Sequence, residues 1–347
     1  MAVNNEPFKQ SRFYANITPD PLVIDRKTAF PRKVYWFYKN YYLQKKIFRK
    51  IEQLRKEKNI DVLIGVFGGI LPLVFYMNRK QRTAAVIFSD MDSWFVDVHH
   101  DMKKLWYRKY YSFNYALENA DFVDFLSPFI LDGIRERNIK LKEDSVVVAP
   151  CSFTDYSKCF VGEKKVFEIS YASRIEPDKN PLLFLEAAKK IQPEFPLVKF
   201  HLLGEGTLVH QVENYIIANN LNSVVDFRFH PNPPEVFANS SVFVSLQSGT
   251  NYPSQSVLEA MACGNAVIAG NTGDTNLLIN ESNGLLIKLN VNELAGAMKK
   301  LITSPKLAAS MGNSGRKFVL KHHTIEKMAD YYVDLIEKVN YRVFLND

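Results

Sequence analysis

The stretch Val242 to Gly264, V-F-V-S-L-Q-S-G-T-N-Y-P-S-Q-S-V-L-E-A-M-A-C-G, narrows the possible folds of this chain more than any other. Val242 to Leu246 is an apolar run of strand length, and Gly249-Thr250-Asn251 with Pro253 breaks it into a loop. Ser254 can then cap a helix whose apolar residues Val257, Leu258, Met261 and Ala262 recur at helical spacing, with Gly264 as the stop. A strand feeding a helix through a loop presents unpaired N–H groups and the positive end of the helix dipole, which suits a phosphate. Glu259 lies a turn or so inside that helix. It either accepts hydrogen bonds from sugar hydroxyls or is a solvated helix carboxylate.

The rest of the chain repeats the alternation of strands and helices. Val62 to Phe67, Ala84 to Phe88, Phe122 to Leu126 and Val146 to Ala149 are strands of the first half, with a helix from Pro128 to Arg137. Strands that alternate with helices imply a parallel sheet with ligands gathered beyond the carboxyl ends of its strands, and Gly68, Gly69, Asp90, Asp92 and Trp94 fall at that edge. Asp90-Met91-Asp92 has two hard oxygen ligands one residue apart, which fits either a Mg²⁺ or Mn²⁺ site or polar loop carboxylates. The length of 347 residues exceeds what one core usually serves, so two domains are expected. Residues 151 to 164, polar and aperiodic, are the candidate linker.

A net charge of +7 favours anionic partners. The opening thirty or so residues, rich in proline, read as irregular. Tyr35 to Lys58 reads as a long amphipathic helix, with Lys45, Lys46, Arg49 and Lys50 among its cations. Met102 to Leu117 interleaves Lys103, Lys104, Arg108 and Lys109 with Trp106 and tyrosines. Such segments pack their aromatics and solvate their cations or lie on an anionic bilayer, and the second could also bind a single-stranded nucleic acid. Three cysteines without a C-x-x-C pair point to a reduced compartment and away from zinc. No apolar run of spanning length and no signal peptide is read, so the expectation is a cytoplasmic protein, soluble or peripheral on the cytosolic membrane face.

In the second half, F-E-I-S-Y-A-S-R-I-E-P-D-K-N-P begins as a strand from Val166 and delivers Arg174 and Lys179 into a loop, with Pro181 early in the next helix. A guanidinium and an ammonium at a strand end suit a diphosphate. Val198 to Leu203 ends in Gly204-Glu205-Gly206, where missing Cβ atoms allow close backbone approach to a ligand. Phe227-Arg228-Phe229-His230-Pro231 closes another strand at the same edge. Ala266 to Ala269, the strand in N-G-L-L-I, and helices from Val291, Pro305 and Thr324 complete the chain.

Two of these segments resemble motifs of the family-4 glycosyltransferases. Leu258-Glu259-Ala260-Met261-Ala262-Cys263-Gly264 matches the second Glu and its sequel in the family's Glu, seven residues, Glu motif, and Asn251 stands at the first Glu. Ser173 to Asn180 is similar to the phosphate loop G-R-L-x-x-x-K-G, with Ser173 and Asn180 in the two glycine places. The resemblance covers about residues 60 to 335. It implies an α/β chain of the GT-B fold, two Rossmann-like domains facing a cleft: residues 1–160 on the acceptor side, joined by a terminal helix at about 324–347, and 161–323 on the donor side. The family's first strand and its Gly-rich loop are not found, which implies an N-terminal domain that is abbreviated or entered part-way.

By the same resemblance the activity is metal-independent, retaining transfer from a nucleotide-diphosphate sugar, a UDP-sugar first among donors, to a glycan or lipid-linked glycan in surface polysaccharide or glycoconjugate synthesis. No cofactor, metal or nucleic acid is expected. Arg174 and Lys179 would neutralise the leaving diphosphate, and Glu259 would hold the ribose. Ser173, Gly204, Gly206, Arg228, Phe229, Asn251, Tyr252, Pro253, Ser254, Gln255 and Ser256 would bind the donor. Gly68, Gly69, Asp90, Asp92 and Trp94 would face the acceptor. Two alternatives stand beside this reading: a metal-dependent GT-A enzyme using Asp90 and Asp92, and a non-catalytic nucleotide-sugar-binding partner.

Overall fold

The structure is a computed structural model that describes residues 41–80, 82–90 and 109–345. Asp92, Trp94, Lys103, Lys104, Trp106, Arg108 and the Pro-rich opening lie outside those residues. Strands β1 Val62–Val66, β2 Ala85–Asp90, β3 Phe122–Phe125 and β4 Val146–Val148 form one sheet in that order, every pairing parallel. A second parallel sheet holds β5 Glu168–Ala172, β6 Lys199–Leu203, β7 Val225–Arg228, β8 Val242–Ser245, β9 Ala266–Gly270 and β10 Gly284–Ile287, in the order β10-β9-β8-β5-β6-β7. The described residues group into two compact units, those within Met1–Phe125, Ile130–Val148 and Asp334–Asp347 in the first and those within Leu126–Phe129 and Ala149–Val333 in the second.

In the first unit, helix α1 Leu43–Lys58 turns one apolar stripe inward and ends at Asn59, whose left-handed φ of 50° lets its N–H reach the Arg55 carbonyl. Phe48 is buried and stacks on Phe75. Glu52, also buried, accepts from Arg55 and from Arg79 at 2.9 Å, and the Arg55 guanidinium leads in holding its carboxyl below the usual range. Arg79 lies over the Phe48 and Tyr76 rings, 5.0 and 5.4 Å from their centroids. The Tyr76 hydroxyl accepts from the Thr83 and Ala84 amides at 2.8 and 2.7 Å, just before β2. One polar cluster thus joins the helix to the start of the sheet.

The second unit's sheet is apolar on both faces, as parallel strands covered by helices must be. One layer packs Ile169, Tyr171, Phe184 and Phe200, and the other packs Phe237, Phe243, Val257, Leu258 and Met261. After β5 the chain adds β6 and β7 on one side, then returns to place β8, β9 and β10 on the other. The order therefore reverses between β5 and β8, whose register pairs Ile169 with Val242 and Tyr171 with Val244. At such a reversal the loops leaving two adjacent strands diverge and open a crevice at their carboxyl ends.

His323 follows the helix Pro305–His322 and is buried. Its Nδ1 accepts from the Ser152 amide at 3.1 Å, and its ring packs on Phe318 and Tyr252. Burial, with His322 adding to it, pulls its pKa down to about 4. The neutral ring is the folded form, whereas an unfolded chain takes up the proton near pH 6.5. This contribution is therefore complete above about pH 6.5 and is lost as the pH falls through about 4, on the order of 3 kcal/mol. His323→Gln keeps an acceptor for Ser152 without titrating, and should flatten the acid limb of a denaturation-versus-pH profile. A variant as acid-sensitive as the parent would assign that limb to other groups.

Candidate active site

The crevice between β5 and β8 is where the two sequence motifs meet. After β5 come Ser173, Arg174 and a 3₁₀ turn Pro177–Lys179; Asn180 follows in the left-handed region and Pro181 opens the helix Pro181–Ile191. After β8 a loop runs to Ser254, which caps the helix Gln255–Ala262 with its Oγ accepting from the Val257 amide at 3.5 Å. That cap and the stop at Gly264, φ +72°, lie where the sequence places them. The far end of the helix is held by cations: Lys164 Nζ donates to Gly264 O at 2.5 Å and Arg316 donates to Ala262 O. Burial lowers the Lys164 pKa to about 8.

The pocket in the crevice is lined by Tyr171, Ala172, Ser173, Lys179, Val244, Ser245, Leu246, Gln247, Ser254 and Ser256. Lys179 is its cation. Its side chain is buried, and Nζ lies 3.0 Å from the carboxylate of Asp178, which is itself half exposed. An ammonium taken out of water needs anionic company, and its pocket side is open to receive more. Arg174 is exposed at the strand end and has no carboxylate partner among the described residues. Arg228 is exposed and paired with Asp226 at 3.1 Å, and Phe229, beside it, is 59% exposed. Gln255 is exposed on the first turn of the helix.

Asn251, expected against a sugar, is wholly buried: its Oδ1 accepts from Ser245 Oγ at 2.5 Å, and its Nδ2 donates to Thr275 Oγ1 at 3.1 Å and to Gly270 O at 3.4 Å. Both ends of the amide are spent inside the protein. Asn251→Glu should therefore lower the stability of the second unit by about 3 kcal/mol, because it buries a charge facing a carbonyl. Unchanged melting with altered donor choice would return the residue to the sugar.

Tyr252 is buried, its peptide bond to Pro253 is cis, and its N–H donates to Thr250 Oγ1. Gly204 and Gly206 approach protein backbone closely: a Cβ on Gly204 would lie 1.9 Å from Ser173 O, and one on Gly206 would lie 2.4 Å from Ile175 O. They seat the Arg174 loop from behind. Glu259 is half-buried and off the pocket lining; burial chiefly raises its pKa, with Asp155 adding and Lys158 opposing. Gly68 and Gly69 lie in a 3₁₀ turn Phe67–Leu73 after β1, and Asp90 ends β2. Tyr171, Ser245, Leu246 and Gln247 line the pocket without having been singled out in the sequence. Their shared signal is position at the ends of two strands that only the sheet order makes adjacent.

Residues 157–318 match the family described as Glycosyl transferases group 1. This stretch, which holds β5 to β10 and the whole pocket, is similar to a group 1 glycosyl transferase domain. A poly(ribitol-phosphate) alpha-N-acetylglucosaminyltransferase of Staphylococcus aureus is 26% identical over 82% of this chain and 57% of its own length. The Escherichia coli UDP-Gal:alpha-D-GlcNAc-diphosphoundecaprenol alpha-1,3-galactosyltransferase is 29% identical over 50% of this chain and 47% of its own. The chain thus spans about half the length of these curated relatives. Sucrose-phosphate synthase of Thermosynechococcus elongatus matches in fold with a TM-score of 0.71 at 19% identity, over 90% of this chain and 81% of the other. The fold is GT-B, with two parallel α/β sheets, and this overturns the GT-A alternative built on Asp90 and Asp92.

Proposed function

We infer that the chain transfers a sugar from a nucleotide-diphosphate donor, a UDP-sugar first, to a glycan or lipid-linked glycan acceptor, with retention and without a metal. The carrying observation is the buried Lys179 ammonium in a polar pocket at the β5/β8 reversal. Lys179 and Arg174 neutralise charge that builds on the leaving diphosphate, and the Ser254 helix start adds N–H donors. Phe229 offers a face for the base, Ser173 and Ser256 contact phosphate oxygens, and Glu259 takes the ribose hydroxyls. On this reading residues 161–323 are the donor half and 1–160, with Gly68, Gly69, Asp90, Asp92 and Trp94, the acceptor half.

A panel of UDP-, GDP- and dTDP-sugars tests it through thermal stabilisation followed by transfer assays with and without EDTA. Stabilisation by one donor and EDTA-insensitive transfer are expected. Binding with neither transfer nor hydrolysis would favour the non-catalytic reading.

An acceptor carried on a membrane lipid fits the exposed cations of α1, Lys46, Arg49 and Lys50, with Lys45 beside them. Among the described residues no helix is long and apolar enough to cross a membrane. Each cation near an anionic surface contributes about 1 kcal/mol. The protein should sediment with anionic but not neutral liposomes and be released by salt. Failure to sediment at low salt would leave a soluble acceptor as the better reading.

A further inference from the structure

We propose that Asn180 is a positioning residue that sets the separation of the two walls of the pocket, lacing the loop after β8 to the Lys179 turn. The inference rests on the donor-site reading of that pocket. One wall is Ser173 and Lys179, and the other is Leu246 and Gln247. Between them the Asn180 Nδ2 donates to Leu246 O at 2.8 Å and to Ser248 Oγ at 2.9 Å, while the Ser248 amide donates to Asp178 O at 2.8 Å.

Asn180 stands at φ +55°, a left-handed position where glycine costs least and asparagine is tolerated. A glycine there would meet the backbone demand alone. The carboxamide adds the side-chain half of the link, beside the backbone bond from the Ser248 amide to Asp178 O. The flanking contacts leave this link as the adjustable one: Tyr171 OH fixes Lys179 O from within the sheet at 2.8 Å, and Thr272 Oγ1 fixes Gln247 O from the other side at 3.1 Å. With both walls anchored to their own strands, the Asn180 side chain holds Gln247 and Lys179 at the spacing a diphosphate would bridge.

Asn180→Gly keeps the backbone geometry and removes the lacing, so folding should survive. Two readouts separate this inference from the donor-site reading. Hydrogen exchange of the Ser248 amide in the ligand-free protein should quicken at least tenfold in Asn180→Gly, and unchanged protection would overturn the lacing. UDP affinity by calorimetry should fall about tenfold, with the donor KM rising more than kcat falls. Ser248→Ala should give a smaller loss that does not add to that of Asn180→Gly, since both cut one link. Equal UDP affinity in parent and Asn180→Gly would overturn the positioning role. A parent that binds no UDP, combined with faster exchange in the variant, would leave the lacing standing and remove the donor-site reading instead.

Discussion

Lys179→Met should lower sugar transfer by about 10²–10³-fold and weaken UDP binding while leaving the fold as stable as before. The ammonium stands in a polar pocket with its side chain buried, and among the described residues Asp178 is the one carboxylate paired with it. Methionine follows the same stem and keeps its packing, and a buried ion pair replaced by an apolar side chain of similar volume is often neutral or stabilising. Asp178, half exposed, returns to water when its partner goes. What disappears is a preorganised positive charge in a partly dry site, where it is worth far more than in water. Lys179→Arg should not restore activity, because a planar guanidinium cannot occupy the space of a compact ammonium inside a tight turn. Arg174→Ala, at an exposed position, should cost less than Lys179→Met. Single-turnover transfer together with UDP calorimetry decides the matter, and a kcat/KM within about threefold of the parent would take Lys179 out of the donor site.

The strands of the second unit were legible because each is a short apolar run closed by glycine, proline or a polar loop, and the observed Val242–Ser245 and Ala266–Gly270 differ from the sequence reading by one residue. The Ser254 cap was legible for a similar reason, since a cap is a local event that needs only residues three apart. Asn251 was not. Its role depends on Ser245, Gly270 and Thr275, which converge on it only after β8 and β9 have paired. Gln247 and Tyr171 escaped notice because they belong to loops and strands that become neighbours only when the β8–β5 pairing is known, and local periodicity carries no strand order. For helix α1 the sequence predicts a start at Tyr35; residues 35–40 lie outside the described ones, and the cations Lys46, Arg49 and Lys50 are exposed on Leu43–Lys58.

Gly204→Ala shows the same dependence on tertiary placement with the largest expected loss of stability. Its φ of +152° is a conformation L-residues rarely adopt, and an added Cβ would lie 1.9 Å from the Ser173 carbonyl oxygen. A backbone atom cannot swing aside as a side-chain tip can. Either the end of β6 or the Ser173 peptide must move, and both are pinned: Gly204 N–H donates to Arg228 O at 3.1 Å, and Ser173 N–H donates to Leu203 O at 3.1 Å. Backbone strain and overpacking together cost about 3 kcal/mol or more, a shift of roughly 5–10 °C in the unfolding of a unit of this size. Because Ser173 lines the pocket, the relaxation that accommodates the methyl group also displaces a wall of the donor site, so the protein that remains folded should bind UDP more weakly. Gly249→Ala is the internal control, since a Cβ there meets nothing within 4 Å. Its melting should match the parent even though it lies in the loop between β8 and Ser254. If Gly204→Ala melts with Gly249→Ala and binds UDP equally well, the loop after β6 is not the seat of the Arg174 turn, and the glycines must be explained by direct approach to a ligand.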